Sequence, residues 1–436
     1  MAHGERSGWT SGRFVCLAAV LLPAIAAYGR TLWYPFISDD YLQIRLGRLL
    51  ADPDNWRDLL ADPLYRCRAT SLYLTRLTEA AFGLWPAAYY ATSLALHVLN
   101  CLLVAVLLRS LSVSRPVAVA AAAFFAVYEG HQEAVIWYSA QPELLVLAFS
   151  LGALILWRRW CDQPAGGWRW YAGSLALFGG ALASKESAVS VVPLLVWMAL
   201  WRRARPWRAV LAAAAPFALL AAGYTILVFL ARDQHLFFQD GTFTPSPRVL
   251  SVLPTSLLRM MFFWGALAAV ILGRTKTLAF SLGWMVLALL PYSFITYMDR
   301  VPSRHTYFPS VGLALLAGAA LLEVHRRWGL RRPWLVPALA AAIVAHNCVY
   351  LWTRKHDQYM KRAAPTEQLL GHIRDHRGYT GPVWVLDFPY DKHIVYSAVA
   401  VATEREPQKV IVGGEPPPAG AHTLRWDEGQ QRLIVN

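Results

Sequence analysis

The chain has 436 residues, of which 56% are hydrophobic and 16% are charged, and its formal net charge is +14. So large an apolar share exceeds what the core of a soluble domain can bury. A net charge this high would suggest nucleic-acid binding in a soluble protein, but here the basic residues lie in short patches between long apolar blocks. That pattern is typical of helices that cross a bilayer, so we expect a polytopic membrane protein without a nucleic-acid partner.

The apolar blocks predict an all-α membrane fold with about eleven spans, each near the 17 to 25 residues that a hydrocarbon core requires. The predicted spans are residues 14–34, 87–108, 116–129, 142–157, 170–184, 187–201, 209–231, 250–273, 278–297, 309–323 and 334–352. Several blocks are short or contain Pro or Gly, so one pair could form a re-entrant loop instead.

The distribution of basic residues orients the predicted spans. Fifteen Lys and Arg lie in the loops 109–115, 157–170, 201–208, 274–276 and 325–332. Five lie in the alternate loops 130–141, 184–187, 232–248 and 298–305. Cytoplasmic loops carry the excess of Lys and Arg. We therefore expect the first set of loops and the N-terminus in the cytoplasm and the second set outside, in a plasma membrane, with compact outer loops favouring a bacterial inner membrane.

The last part of the chain is polar and differs in pattern from the apolar blocks. Residues 353–436 predict a helix at 366–376 and strands at 383–388, 395–401, 409–412 and 432–435, separated by turns rich in Gly and Pro. We expect a membrane domain over residues 1–352, with a long first outer loop at 35–86. A small α/β domain over residues 353–436 follows on the outer face.

Two adjacent carboxylates, Asp39 and Asp40, follow the first predicted span in the stretch PFISDDYLQI. One interpretation is a helix N-cap, because Ser-Asp-Asp before an amphipathic run is a common start signal. The other is functional, because a carboxylate half shielded from water at a membrane surface can act as a general base or bind a cation. The two roles are compatible.

A second cluster of ionisable residues lies in the short loop between the third and fourth predicted spans. It contains Glu129, His131 and Glu133, which face the same side as Asp39 in the predicted topology. The simpler interpretation is a solvated hairpin with His131 as a polar cap. A divalent cation would need carboxylates from both loops, since neither loop has metal-ligand spacing alone.

Three outer segments contain cations beside polar or aromatic residues. Lys185 lies between two predicted spans, Arg66 lies in the stretch 65–70, and Arg304 lies in the stretch 299–310. These residues could mark turns or bind lipid head groups without specificity. Alternatively they hold a phosphate, so that the outer loops combine carboxylates for activating a hydroxyl with cations for an anionic leaving group.

Six segments in chain order resemble glycosyltransferases of the C-type superfold, which use polyprenyl- or dolichyl-phosphate-linked sugars. The likeness is greatest to the protein O-mannosyltransferase and tetratricopeptide-bearing transmembrane mannosyltransferase group. The segments are ISDDY at 37–41, YRCRATS at 65–71, LHVLN at 96–100, HQEAV at 131–135, KES at 185–187 and RHTYFPSVG at 304–312. Cys67, Tyr128, Glu129 and Gln141 depart from the group's pattern, and the tetratricopeptide repeats are absent from this sequence. These departures leave the sugar and the acceptor open.

The resemblance implies an inverting transfer of a sugar from a polyprenyl-phosphate donor to an acceptor hydroxyl. It implies Asp39 as the base, with Asp40 orienting the base or the acceptor. It implies that Lys185, Arg66, Arg304 and Tyr307 bind the donor phosphate. His131, Glu133 and Glu129 would line the acceptor side or hold a divalent cation, the one cofactor that the resemblance allows.

Two other classes of function fit the composition. A transporter or flippase of a lipid-linked sugar would also have many spans and intramembrane charges. It should show repeat symmetry or charges near the mid-membrane, whereas here the predicted acidic and basic clusters collect at one face. A non-catalytic membrane scaffold, with the tail as its binding part, is the third possibility.

Overall fold

The computed structural model describes residues 4–57, 63–163, 167–203, 205–230, 247–295, 301–403, 405–413 and 420–435. Most of the described chain is helical. The helices are α1 (Gly4–Tyr28), α2 (Asp40–Leu49), α3 (Pro63–Phe82), α4 (Pro86–Ser110), α5 (Arg115–Val127), α6 (Gln132–Ile136), α7 (Gln141–Asp162), α8 (Trp168–Leu182), α9 (Val191–Trp201), α10 (Trp207–Leu230), α11 (Val249–Met261), α12 (Trp264–Leu272), α13 (Lys276–Ile295), α14 (Ser310–Trp328), α15 (Leu335–Tyr350), α16 (His356–Asp375) and α17 (Lys392–Ala402).

Helices lie at the positions of all the predicted spans, but they differ in length. Within the described residues, 5 helices are long and apolar enough to cross a membrane. The predicted span 250–273 is instead the pair α11 and α12, bent by 79°, which raises the number to 6 if the pair is one span. The bend falls at Phe262 and Phe263, where Phe263 has a φ of 63°. The chain is a multi-pass membrane protein, and the count of eleven spans stays a prediction.

The membrane helices pack around α5. This short helix contacts α1, α4 and α14, and its residues Ala118, Ala121 and Ala122 are fully buried. Small side chains allow this close approach: a Cβ on Gly318 of α14 would lie 2.6 Å from the backbone nitrogen of Ala121. Close backbone contact through small residues is the usual packing mode of membrane helices, where lipid supplies no hydrophobic drive between them.

The first predicted outer loop contains the amphipathic helix α2 and the longer helix α3. The Gln43 amide donates to the hydroxyl of Thr75 at 3.0 Å, and the Arg48 Nε lies 2.6 Å from a Glu79 carboxylate oxygen. Arg48 also donates to the carbonyl of Val401 at 3.2 Å, in the C-terminal part of the chain. Helix α2 is therefore held between α3 and the C-terminal part.

The C-terminal part contains a four-stranded sheet of order β2-β1-β3-β4. The strands are β1 (Val383–Leu386), β2 (Val410–Val412), β3 (His422–Asp427) and β4 (Arg432–Val435). Strand β1 pairs in parallel with β2 and β3, and β3 pairs antiparallel with β4. Strand β3 was not predicted.

The predicted strand at 395–401 is wrong, because these residues belong to α17. The Asp391 side chain accepts a hydrogen bond from the backbone nitrogen of His393 at 2.8 Å and caps this helix. Val395, Ala398 and Val399 are buried, at the three- and four-residue spacing of one helix face. The cap outweighs the β-branched residues in this stretch, whose helix propensity is only slightly low.

Candidate active site

The sequence-predicted residues collect at one end of the helix bundle, where α1, α5, α8 and α15 finish and α4, α7, α9 and α14 begin. Polar contacts tie these ends together. The backbone nitrogen of Glu129 donates to the Asn347 side chain at 2.8 Å, and the Thr70 hydroxyl donates to the Ser184 hydroxyl at 2.8 Å. Several separate segments therefore form one polar surface at this end of the bundle.

Asp39 and Asp40 have different surroundings although they are adjacent. Asp40 is fully buried, and its carboxylate accepts hydrogen bonds from the backbone nitrogens of Ile37 and Ser139, each at 2.9 Å. Asp39 is partly exposed and accepts a 2.6 Å hydrogen bond from the hydroxyl of Ser38. Its side chain makes no cap hydrogen bond to α2. Asp40 thus joins two segments, while Asp39 faces outward.

Burial raises the pKa of Asp40 to about 7, although the two backbone hydrogen bonds favour its charged form. Its carboxylate also accepts from the hydroxyl of Tyr90 at 3.3 Å. These contacts hold the Asp40 side chain in one orientation. Asp40 therefore holds the backbone next to Asp39 against the segment that contains Ser139.

Glu129 and His131 lie in the loop between α5 and α6. Burial raises the pKa of Glu129 to about 7. Burial, followed by the charge of nearby His97, lowers the pKa of His131 well below its usual range, so the ring is neutral. The His131 Nε2 lies 2.6 Å from the hydroxyl of Ser310, which fixes the ring against the start of α14.

Tyr307 lies beside His131 in the interior. Its hydroxyl lies 2.8 Å from the His97 Nδ1 and accepts from the Asn100 amide at 3.3 Å. The rings of His131 and Tyr307 meet edge to face at 4.6 Å. Tyr307 is fully buried. Its predicted role in binding the donor phosphate stays a prediction.

Lys185 forms a buried ion pair with Glu143, a residue that the sequence analysis did not single out. The hydroxyl of Tyr292 donates to the second Glu143 oxygen at 2.9 Å, and the His305 Nε2 lies 3.5 Å from the first. Burial lowers the pKa of Lys185, and the charge of Glu143 opposes this. Three side chains from separate elements therefore share one buried carboxylate.

Arg304 and Glu133 form a looser pair at the surface of the same cluster. Their charged groups lie 3.6 Å apart, and the backbone nitrogen of Arg304 donates to the Glu133 carboxylate at 3.0 Å. About a quarter of each side chain is exposed, 23% for Arg304 and 24% for Glu133. The Arg304 guanidinium also lies 5.3 Å from the ring of Trp137. This pair is open to a bound molecule, unlike Lys185 and Glu143.

The C-terminal part contributes a further cation. The guanidinium of Arg362, on α16, lies 4.4 Å from the ring of Trp137. Tyr390 donates to the backbone carbonyl of Arg362. Burial raises the pKa of Tyr390 to about 12, an effect that Arg362 opposes and the charge of Asp39 reinforces. Arg362 and Tyr390 are therefore in contact, the charge of Asp39 reaches Tyr390, and the Trp137 ring lies near both Arg362 and Arg304.

The side chain of Arg66 lies outside the described residues, so its predicted role is not tested. Arg68, two residues further on, lies at a kink in α3, where its φ is −137°. Burial lowers the pKa of both Lys185 and His305, and the charge of Arg68 adds a smaller effect in the same direction on each. The backbone nitrogen of Thr70 donates to the Ala183 carbonyl at 3.3 Å, which brings the kink to the turn before Lys185. In the stretch 65–70, Arg68 is thus the cation whose side chain the structure describes.

Sequence reasoning missed Glu143, His305, Arg68 and Arg362 as individual residues. Glu143 had a signal, because it is an acidic residue inside the predicted span 142–157 and such residues need a partner. Arg362 had none, since it belongs to a polar helix 58 positions after Arg304. Among the described residues, no group of three or more His, Cys, Asp or Glu side chains could hold a metal ion. The divalent cation that the resemblance allows stays a prediction.

No protein-family model matches the chain, and no curated protein matches it significantly. Solved structures do match. An archaeal oligosaccharyltransferase, AglB from Archaeoglobus fulgidus, in complex with an inhibitory peptide and a dolichol-phosphate, is similar over 91% of this chain and 65% of that chain. The TM-score is 0.53 and the identity 12%. The chain therefore spans just under two thirds of the length of that protein.

ArnT from Cupriavidus metallidurans, bound to undecaprenyl phosphate, is similar over 97% of this chain and 94% of that chain, with a TM-score of 0.50 and 14% identity. At such low identity the likeness shows the fold alone. The chain is thus a multi-pass membrane protein with a fold similar to that of these two structures, which agrees with the resemblance to the C-type superfold that the sequence indicates. The narrower mannosyltransferase group stays a prediction.

Proposed function

We propose that the chain is a glycosyltransferase that moves a sugar from a polyprenyl-phosphate donor to an acceptor hydroxyl. The transfer takes place on the extracytoplasmic face and inverts the anomeric centre. The fold supports this proposal, because the two similar structures were solved with dolichol-phosphate and with undecaprenyl phosphate. The sugar and the acceptor stay open.

The observation that carries the proposal is the difference between the two adjacent carboxylates. Asp40 is buried and committed to two backbone nitrogens, whereas Asp39 is partly exposed and bonded only to Ser38 among the described residues. A general base must reach its substrate proton within about 3 Å. Asp39 is the carboxylate that a bound hydroxyl can approach, and Asp40 keeps its backbone in place.

The cations around Glu143 and Glu133 support a site for the donor phosphate. Lys185, Arg304 and Arg68 come from three segments, and the charges of Arg304 and Arg68 both act on Lys185. Fixed cations stabilise the charge that develops on a departing phosphate, most strongly where water is excluded. Arg304 is the most open of them to a ligand, because its pair with Glu133 is long and partly exposed.

In the proposed reaction, the Asp39 carboxylate takes the proton of the acceptor hydroxyl. The oxygen attacks the anomeric carbon while the bond from that carbon to the phosphate oxygen breaks. The bonding electrons leave with the lipid phosphate, whose charge is balanced by Arg304 and Lys185. One bond forms, one breaks, and the proton ends on Asp39.

The test is sugar transfer by purified full-length protein from a panel of labelled polyprenyl-phosphate sugars. We expect Asp39→Asn to lower turnover by about 10²–10⁴-fold, the usual contribution of a general base. Asp52→Asn is the matched control, because Asp52 is an exposed carboxylate at the start of a short helical turn in the same outer loop. It should retain wild-type turnover.

Three results would overturn the proposal. Full turnover by a folded Asp39→Asn protein would remove Asp39 as the base. No transfer from any donor, together with movement of a lipid-linked sugar across liposomes, would identify a transporter instead. If the protein neither transfers a sugar nor moves the lipid-linked sugar, a non-catalytic scaffold is the better description.

A further inference from the structure

A pocket lies at the opposite end of the bundle from the candidate active site. It is bounded by the start of α5, the end of α9, the start of α13 and the middle of α14, and its volume is about 330 Å³. Helix α5 has 13 residues between the two ends, which corresponds to about 20 Å. The pocket is therefore separate from the carboxylates and cations of the active site.

The polar rim of the pocket is positively charged. Arg202 and Lys276 line it, and the described lining residues include no carboxylate. Arg202 donates to the hydroxyl of Ser112 at 3.0 Å, which holds its guanidinium at the rim with further N–H groups to spare. Ser112 and Thr277 add hydroxyls to the same rim. This set of donors suits an anionic group such as a phosphate.

Three other cations at this end of the bundle are already engaged. Arg205 donates to the backbone carbonyl of Trp160 at 3.0 Å, and Arg109 to that of Val113 at 2.7 Å. Arg327 pairs with Glu323 at 2.6 Å. Arg202 and Lys276 thus differ from these three neighbours because both line a cavity.

The inner wall of the pocket is apolar, with Val117, Phe280 and Leu315 among its lining residues. A free phosphate ion would gain nothing from such a wall, whereas the glycerol and first methylenes of a phospholipid would bury against it. Basic pockets between membrane helices, at the end that carries the Lys and Arg excess, are suited to anionic lipid head groups.

We propose that this pocket binds an anionic phospholipid, with its phosphate between Arg202 and Lys276 and its glycerol backbone against the apolar wall. The site is independent of the sugar transfer proposed above. It anchors the start of α5, the end of α9, the start of α13 and the middle of α14 from the membrane surface opposite the active site.

The test is native mass spectrometry of the full-length protein in detergent with three probes: dioctanoyl phosphatidylglycerol, dioctanoyl phosphatidylcholine and inorganic phosphate. We expect phosphatidylglycerol to bind at least about tenfold more tightly than phosphatidylcholine, which corresponds to 1.4 kcal/mol or more. The double variant Arg202→Gln, Lys276→Gln should lose this preference. The matched control Arg208→Gln, Arg274→Gln removes two nearby cations that do not line the pocket, and it should keep the preference.

A second variant separates the contribution of the apolar wall of the pocket from that of its two cations. Ala319→Leu fills the apolar side of the pocket while both cations stay, and it should also weaken phosphatidylglycerol binding. Equal binding of the two lipids by the wild-type protein would overturn the proposal. So would a loss in the control variant as large as in the double variant. Displacement of the lipid by inorganic phosphate at equal concentration would show a simple anion site and overturn the lipid assignment.

Discussion

The charged side chains at the two ends of the helix bundle differ in burial and in pairing. At the active-site end, Asp40 and the Lys185–Glu143 pair are buried, and each has protein partners. At the opposite end, Arg202 and Lys276 are exposed and surround a pocket. A buried charge without a partner is costly, so burial forces precise pairing, whereas exposed charges are free to meet ligands.

This difference has consequences for how each end responds to substitution. The active-site end should depend on individual partners, because removing one leaves another charge buried. The opposite end should tolerate single neutral replacements, because water solvates what remains. The following predictions compare the two ends, starting with the largest effect.

Glu143→Ala should cause the largest loss of stability. It leaves the buried Lys185 ammonium and the Tyr292 hydroxyl without their acceptor, and breaking a buried ion pair by removing one partner costs about 3–5 kcal/mol. The free energy of unfolding, measured by denaturing-detergent titration of the purified protein, tests this. The control double variant Glu143→Leu, Lys185→Met removes both charges and should recover much of the loss. A loss of similar size in both variants would show that packing dominates.

Asp40→Asn should change how stability depends on pH. The unfolded carboxyl releases its proton near pH 3.8, whereas the folded protein keeps it until about pH 7. The folded state therefore binds more protons in this window, and the stability contributed by the carboxyl is present below pH 4 and lost as the pH rises to 7. The loss is on the order of a few kcal/mol.

Melting temperatures from pH 4 to pH 8 provide the measurement. The decline should be shallower for Asp40→Asn than for the wild type. Glu129→Gln serves as a comparison, because burial also raises the pKa of Glu129 to about 7 and its removal should flatten the same window. Identical slopes for wild type and both variants would contradict the raised pKa values.

Ser310→Ala should have an intermediate effect. It removes the hydroxyl that lies 2.6 Å from the His131 Nε2 and leaves that nitrogen buried without a partner. Such a group costs about 1–3 kcal/mol. Ser251→Ala, at an exposed hydroxyl on α11, is the control and should be close to neutral. A neutral Ser310→Ala would mean that His131 finds another partner.

Arg326→Gln should have the smallest effect. Its pair with Glu323 lies at the opposite end of α14, and 77% of the Arg326 side chain is exposed. Exposed pairs contribute little, and Glu323 keeps its contact with Arg327. We expect a change in unfolding free energy within experimental error. A loss of unfolding free energy as large as that of Ser310→Ala would contradict the expectation that the two ends differ in their response to substitution.

Some of the candidate site could be predicted from sequence because its residues carry local signals. Asp39 and Asp40 follow an apolar block directly, and Lys185 interrupts two of them, so their nearness to the membrane surface follows from the order of residues alone. The partners of these residues have no such signal. Glu143 meets Lys185 across 42 residues and Tyr292 across 149. Only packing of the helices brings them together.

The sequence by itself determined that this is a multi-pass membrane protein, because hydropathy and charge act over short stretches that need no partner. It also placed helices at each predicted span. The tertiary structure alone decided which of the two carboxylates is buried, since the backbone nitrogen of Ser139 reaches Asp40 and not Asp39. It likewise decided that 395–401 is a helix and that Arg362 lies beside Trp137. Burial and pairing are properties of distant segments in contact, and no local pattern encodes them.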